Sequence, residues 1–407
     1  MVIDYNDMLF SFSEAVDIID KEVTGSTTNH GKRVAYMTWK MGWAMHMDGK
    51  NLLDILACAV LHDSALSEYI SEEADKGNML LNSDGQLSMD MMDLGVHCRM
   101  GEKNIKLLPL ETNVDGAILY HHENADGSGP LGKTAAETPM IAQLIHIADN
   151  IDTMYGLGSI DLVKFAKTVG WIGQNRDVMY SAASCDAFLD VMTYDTMNMM
   201  SDDRIDDSLH ALVPAVRRDY SNDELHNIAR LFAEIVDYKS SFTRNHCIGI
   251  AEKAEVLGKY YGYDDDTAAK LYLTGALHDI GKMVIDSDIL EKPDKLTHEE
   301  FDSMKNHAWY TYEMMRKVGG FEEITPWAAL HHEKLDGSGY PFGKTAEDLD
   351  HNSRIMCCLD IYQALTEARP YKKPYCHEDA MIIMMGLAVD GLLDRNIVND
   401  IDNVFSN

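Results

Sequence analysis

Apolar residues at Leu225, Ile228, Ala229, Leu231, Phe232, Ile235 and Val236 return every three or four positions, a spacing that lines one face of an α-helix. Leu9, Phe12, Ala15, Val16 and Ile19 draw the same stripe near the start of the chain. Few segments alternate apolar and polar residues with the two-residue period of a half-buried strand. An all-α protein is therefore expected. Residues 286–297, with Pro293 and with Thr297 as N-cap ahead of Glu299 and Glu300, read as a loop entering a helix. Residues 336–339, Asp-Gly-Ser-Gly, read as a further loop. Residues 156–221 hold more amphipathic segments and two acidic turns, 201–203 and 206–208, so they combine the tail of a first domain with a connector.

The pattern occurs twice. Residues 331–341 read His-His-Glu-Lys-Leu-Asp-Gly-Ser-Gly-Tyr-Pro, and residues 121–130 carry His-His-Glu-Asn-Ala-Asp-Gly-Ser-Gly-Pro. Asn6, Asp7, Leu9, Thr27, Asn29 and His30 recur 216 positions later as Asn222, Asp223, Leu225, Thr243, Asn245 and His246. His30 to His62 has the separation of His246 to His278, and His97 to His121 that of His307 to His331. Each doublet leads to a late aspartate, Asp149 or Asp360, with the first copy one residue shorter because Tyr340 has no counterpart. A unit this long is a duplicated domain, since solenoid repeats run to roughly 20–50 residues. The expected domains are 1–221 and 222–407, and the first copy is expected to pack on the second.

Composition narrows the partners. A net charge of −32 argues against polymeric nucleic acid, whose phosphates are held by basic surface. An anionic substrate must then be captured locally, by bound divalent ions and a few lysines. No apolar run approaches the ~18 residues of a membrane helix, and Asp4 and Asp7 stand where a signal peptide carries basic residues. A cytoplasmic protein without membrane contact is expected. Seven cysteines without Cys-x-x-Cys pairs fit reduced thiols, with Cys357 and Cys358 as packing residues. The 26 methionines are expected to fill core gaps.

In the second copy His246, His278, Asp279, His307, His331, His332 and Asp360 form a mixed imidazole and carboxylate set suited to iron, manganese or zinc. An Asp directly after a His on a helix can bridge two metals while the His ligates one. Two ions about 3.5–4 Å apart can activate a bridging hydroxide and clamp a phosphoryl group.

These residues resemble the HD-GYP phosphodiesterases, a branch of the HD superfamily that hydrolyses bacterial cyclic dinucleotides. The resemblance rests on His278-Asp279 followed by Gly281-Lys282, on Glu291-Lys292-Pro293 ahead of Leu296-Thr297, on Gly339-Tyr340-Pro341 and on Arg369-Pro370-Tyr371. It covers residues 222–373 and, more loosely, 6–152. It implies two HD-type helical domains in tandem. It assigns His246, His278, Asp279 and Asp360 to one metal, and His307, His331 and His332 to the other, with Asp279 bridging. Lys282 would neutralise a non-bridging phosphate oxygen, making Asp279 and Lys282 the catalytic pair. Asp336, Gly337 and Gly339 would shape the loop beside the doublet, with Tyr340, Pro341 and Arg369 near the substrate. Family members with a third metal use a Glu four residues before the first histidine. Phe242 stands there, so two divalent ions are expected, iron or manganese first, with zinc and nickel admissible.

The first copy keeps a nominal ligand set in His30, His62, Asp63, His97, His121, His122 and Asp149. Leu66 replaces Lys282, Pro130 follows Gly129 directly, and Gly158-Ser159 replaces Arg369-Pro370. It reads as a degenerate domain with a vestigial metal site. The expected activity is hydrolysis of 3′,3′-cyclic GMP-AMP or cyclic di-GMP to a linear 5′-phosphorylated dinucleotide, with signalling proteins as possible partners. The rival readings are a non-catalytic cyclic-dinucleotide sensor or scaffold and a di-iron oxygenase of HD type.

Overall fold

The computed structural model describes residues 1–24, 28–76, 93–239, 245–292, 294–368 and 373–406. Regular structure among these residues is helical but for one short ribbon, so the expected all-α class stands. In the ribbon β1 (Val2–Asp4) pairs antiparallel with β2 (Arg217–Asp219), Val2 opposite Asp219 and Asp4 opposite Arg217. Three-residue strands are too short to show a two-residue hydrophobic period.

The chain forms two compact units, one of Met1–Ser11 with Arg217–Asn407 and the other of Phe12–Val216. This differs from the expected division at 221/222. The first eleven residues belong to the later unit because β1 pairs with β2 and because Ser11 Oγ donates to Met314 O at 2.7 Å. The division thus falls within the helix Tyr5–Thr24. Leu9, Phe12, Ala15 and Val16 of its expected stripe are buried, while the side chain of Ile19 lies outside the described residues.

In the later unit the helix Asn222–Tyr238 buries its whole expected stripe. Ser221 and Glu224 close its N-terminus reciprocally, each side chain taking the other's backbone N–H. Helices His246–Tyr260 and Asp265–Leu277 pack beside it, and His351–Thr366 packs on His246–Tyr260. Thr297 caps the helix His298–Met315 as expected, with Glu300 completing the box, although the preceding loop contains a single helical turn, Ser287–Leu290. Pro293 lies outside the described residues.

The earlier unit repeats the plan with His30–Ala44, Gly49–Val60, Leu94–Asn104 and Met140–Tyr155. In both units an asparagine in the left-handed region, Asn29 at φ 62° and Asn245 at φ 78°, launches the helix whose first residue is a site histidine. Asparagine tolerates that conformation better than most side chains, which accounts for its recurrence. Residues 201–203 form the expected acidic turn, but Asp206 and Asp207 sit in the first turn of the helix Ile205–Leu212, where the positive helix end favours carboxylates. Asp202 pairs with the buried Arg33 at 2.8 Å and Asp206 with the buried Lys32 at 2.6 Å, tying this segment to the first histidine helix.

One close contact is built differently in the two units. A Cβ on Gly281 would lie 2.0 Å from His307 O, so the turn Ile280–Val284 meets the helix His298–Met315 only without a side chain there. Thr311 on that helix accepts from Gly281 N at 3.0 Å and donates to His278 O at 2.9 Å. In the first copy the methyl has changed sides: Ala65 faces Gly101, where a Cβ would lie 2.8 Å from Ile118 Cγ2 and 3.8 Å from the Ala65 methyl. No helix among the described residues is long and apolar enough to cross a membrane.

Candidate metal centre

Each histidine of the second copy is delivered by a helix end or an inward helix face. His246 begins its helix, His278 caps the C-terminus of Asp265–Leu277, His307 lies within His298–Met315, and His331 and His332 follow Ile324–Ala329. Asp360 comes from His351–Thr366. His278, His307 and His331 donate their Nδ1 protons to the carbonyls of Gly275, Met304 and Ala328 at 2.7, 2.6 and 2.6 Å. That fixes the tautomer and leaves each Nε2 as a lone pair aimed inward.

The inward atoms converge on one carboxylate. Asp279 Oδ2 is 3.2 Å from His278 Nε2 and 3.7 Å from His246 Nε2, while Oδ1 is 3.5 Å from His307 Nε2 and 3.8 Å from His331 Nε2. Asp360 closes both sides, with Oδ1 3.3 Å from His246 Nε2 and Oδ2 3.4 Å from His332 Nδ1. Donor atoms of His246, His278 and Asp360 form one group and those of His307, His331 and His332 another. His246 Nε2, His278 Nε2 and Asp279 Oδ1 are buried without a hydrogen-bond partner. The His307 and His331 Nε2 atoms stand 3.3 Å apart, and both are lone pairs. Opposed lone pairs beside an orphaned carboxylate oxygen repel one another until a cation lies between them, so the donor set fits divalent metal.

Electrostatics hold His307, His331 and His332 in the neutral form. Burial lowers His307 to about 4, helped by the Lys282 charge, and lowers His332 to about 3. Burial and its neighbour His332 hold His331 well below its usual value. His246 is the exception: burial opposes its charge, but hydrogen bonds to Asp360 and Glu367 push it up to about 9. Burial also opposes ionisation of Asp279, yet His278 and Lys282 hold it well below the carboxylate range. Lys282 Nζ donates to Asp279 Oδ2 with 17% of its side chain exposed, so it touches both the shared carboxylate and solvent.

The loop expected beside the doublet is there. Asp336 Oδ1 accepts from Ser338 N and Oγ at 2.9 and 2.7 Å, and Gly337 makes the turn. Gly339 passes so close to the doublet that a Cβ would lie 2.4 Å from Glu333 Cα. The Tyr340 ring lies 4.7 Å from the His332 ring, and a cis peptide joins it to Pro341. Arg369 and Phe242 lie outside the described residues.

Two functional groups escaped the sequence. Glu333, fully buried, accepts from Phe342 N at 2.8 Å and Lys344 N at 2.9 Å and so holds the loop to the doublet. Glu123 does the same for Leu131 N and Lys133 N, and the signal was the third residue of both His-His-Glu motifs. Glu367 accepts from His246 Nδ1 at 2.9 Å, whereas Asp152, one turn earlier in the repeat register, accepts from His30 Nδ1 at 2.7 Å. That shift hides the pair from alignment of the copies.

The first copy reproduces the cage. Asp63 Oδ1 lies 3.4 and 3.5 Å from His97 and His121 Nε2, Oδ2 lies 3.3 Å from His62 Nε2, and Asp149 reaches His30 at 3.3 Å, His62 at 3.8 Å and His122 at 3.8 Å. Its charge state is different. Burial works against charging His97, but Asp63 and Cys98 push it up to about 9, and Cys98 and Asp63 raise His121 as well. Burial would raise the Cys98 thiol, yet His121 and His97 bring it down to about 6. The second copy has Cys247 near His278 and Asp279, but burial and Asp237 keep that thiol protonated.

Residues 230–397 match the family model described as an HD domain. A 3′3′-cGAMP-specific phosphodiesterase 1 of Vibrio cholerae is 29% identical over 378 residues, covering 91% of this chain and 85% of that protein. A cyclic di-GMP phosphodiesterase response regulator of Xanthomonas campestris is 31% identical over 176 residues, 43% of this chain and 46% of the relative. The solved structure of a cyclic GMP-AMP specific phosphodiesterase of V. cholerae superposes with a TM-score of 0.67 at 18% identity, covering 100% of this chain and 98% of that one, a likeness of fold. The matched segment, residues 230–397, contains all seven residues of the second cage, so this part of the chain is similar to an HD domain.

Proposed function

We propose that the second copy is a phosphodiesterase that opens a bacterial cyclic dinucleotide to a linear 5′-phosphorylated product. The observation that carries this reading is the Asp279 carboxylate, with one oxygen toward His246 and His278 and the other toward His307 and His331. A carboxylate so placed serves two ions at once. His246, His278 and Asp360 would hold one and His307, His331 and His332 the other, with iron or manganese as the preferred metals. Bound ions of this kind supply Lewis acidity at phosphoryl oxygens and lower the pKa of water.

The chain's own residues do the rest. The carbonyl-held imidazoles keep their lone pairs inward without reorganisation, a preorganisation that spares the reaction that cost. Lys282, held on Asp279, would neutralise a non-bridging phosphate oxygen as charge accumulates there. Attack by water oxygen at one phosphorus breaks the bond to the ribose 3′-oxygen, which takes a proton and leaves as a hydroxyl. Tyr340, against His332, offers an aromatic face at the mouth. The relative aligned over most of this chain is named for 3′3′-cGAMP, which supports that hybrid ring over cyclic di-GMP. The unit Phe12–Val216 is read as a degenerate copy and the unit of Met1–Ser11 with Arg217–Asn407 as the catalytic one.

Full-length protein loaded with Mn²⁺ or Fe²⁺ should convert the preferred ring to one linear dinucleotide, resolved chromatographically. Intact rings of both kinds after incubation with metal-loaded protein would overturn the reading. Elemental analysis should find two ions in the second copy, and a third ion on protein ligands there would refute the stoichiometry.

A further inference from the structure

Cys98 stands outside the ligand set that the repeat carries over, because its counterpart in the second copy is Ala308. It is nonetheless fully buried beside the first cage, with Sγ 3.8 Å from His97 Nε2 and 3.7 Å from His121 Nδ1. One donor atom from each of His97, Cys98, His121 and His122 lies within 4.8 Å of every other. His121 spends its Nδ1 proton on Ile118 O at 2.6 Å, so the nitrogen beside the sulfur is not a ligand, while its free Nε2 is buried without a partner in the cage. Asp63 Oδ1, also buried and unpartnered, faces the same space. Around a tetrahedral ion with bonds of about 2.0 Å to nitrogen and 2.3 Å to sulfur, donors of the two kinds stand roughly 3.6 Å apart. The observed spacing of Sγ to His97 Nε2 is close to that.

We infer that the first copy is a metal site of different character from the second, in which Cys98 joins His97 and His122 around a thiophilic divalent ion, zinc before iron or manganese. Sulfur selects soft and borderline ions, whereas the imidazole and carboxylate donors of the second cage suit iron and manganese. The duplication has then yielded two centres of separate metal preference. The inference does not depend on the proposed activity.

The test uses the full chain stripped of metal and titrated with Co²⁺ or Zn²⁺ alone. Cobalt should produce a near-ultraviolet thiolate-to-metal charge-transfer band. That band should persist in Cys247→Ala and in the double variant His278→Ala/Asp279→Ala, and vanish in Cys98→Ala, which installs the residue of the other copy. Zinc content should fall by about one equivalent in the same variant. X-ray absorption of the wild-type chain holding one equivalent of zinc should give a sulfur scatterer at about 2.3 Å, a measurement that needs no variant. A wild-type spectrum without sulfur coordination, or a band lost in Cys247→Ala and kept in Cys98→Ala, would overturn the assignment.

Discussion

In the second cage Lys282 lies against Asp279, and the three histidines around the doublet are held neutral. In the first, Leu66 stands at the lysine position, Cys98 enters beside His97, and His97 and His121 are driven toward the charged form. The two cages use the same residue types around a shared aspartate, so the difference lies in how each buried carboxylate is balanced. A fixed ammonium on the helix turn leaves imidazoles free as ligands. Without it, the imidazoles themselves carry the balancing charge. Two cages of one ancestry thus offer metal different invitations, with Leu66 in place of Lys282 and Cys98 in place of Ala308.

The strongest way to break this comparison is to remove the shared carboxylate from each copy in turn. His278→Ala with Asp279→Ala should cut hydrolysis by on the order of 10³-fold or more, the scale of losing preorganised transition-state stabilisation. His62→Ala with Asp63→Ala should leave a readily measured rate, and equal losses would mean that the chemistry has been assigned to the wrong copy. Next in size, Lys282→Leu gives the second cage the residue of the first. Its kcat should drop by about 10²-fold while metal content measured by elemental analysis stays at the wild-type level; an unchanged kcat would remove the lysine from the mechanism. Glu367→Gln weakens the partner of His246, and a competition titration should report metal affinity lower by roughly 10- to 100-fold. Wild-type affinity in that variant would make the contact ornamental. The smallest effect sharpens the packing comparison. Gly281→Ala should cost about 1–3 kcal/mol by overpacking against His307. Adding Thr311→Gly recreates the arrangement of the first copy, so the denaturation midpoint of the double variant should fall by less than the sum of the single losses. Strict additivity would show that the two positions do not compensate each other.

Much of this was legible before any coordinates. The stripe from Leu225 to Val236, the Thr297 cap and the equal histidine separations are local periodicities or copied spacings, and both leave direct marks in a sequence. Other features leave none. The β1–β2 ribbon pairs residues more than two hundred positions apart through strands too short for a period. The partners of His30 and His246 differ by register, so comparing the copies conceals what each one does. The exchange of a methyl between Ala65 and Thr311 becomes visible only when the two helices are seen in contact. Cys98 was read with the other cysteines as a reduced core thiol, since adjacency to His97 says nothing about His121 and His122 until the chain is folded.

The ribbon also bears on biosynthesis and on gene architecture. Because Met1–Ser11 belongs with Arg217–Asn407, the later unit is a discontinuous domain into which the first copy is inserted. On the ribosome its opening strand must wait, unpaired, until residue 219 has emerged, while the inserted unit can close first. Removing residues 1–11 or residues beyond 217 therefore cuts the later unit, and a fragment starting at Asn222 lacks both strands. A polypeptide holding the whole of that unit is instead an excision, with Ser11 joined to Arg217. Seven residues of helix separate Ser11 from Asp4, the partner of Arg217, so the junction has to span roughly 10 Å.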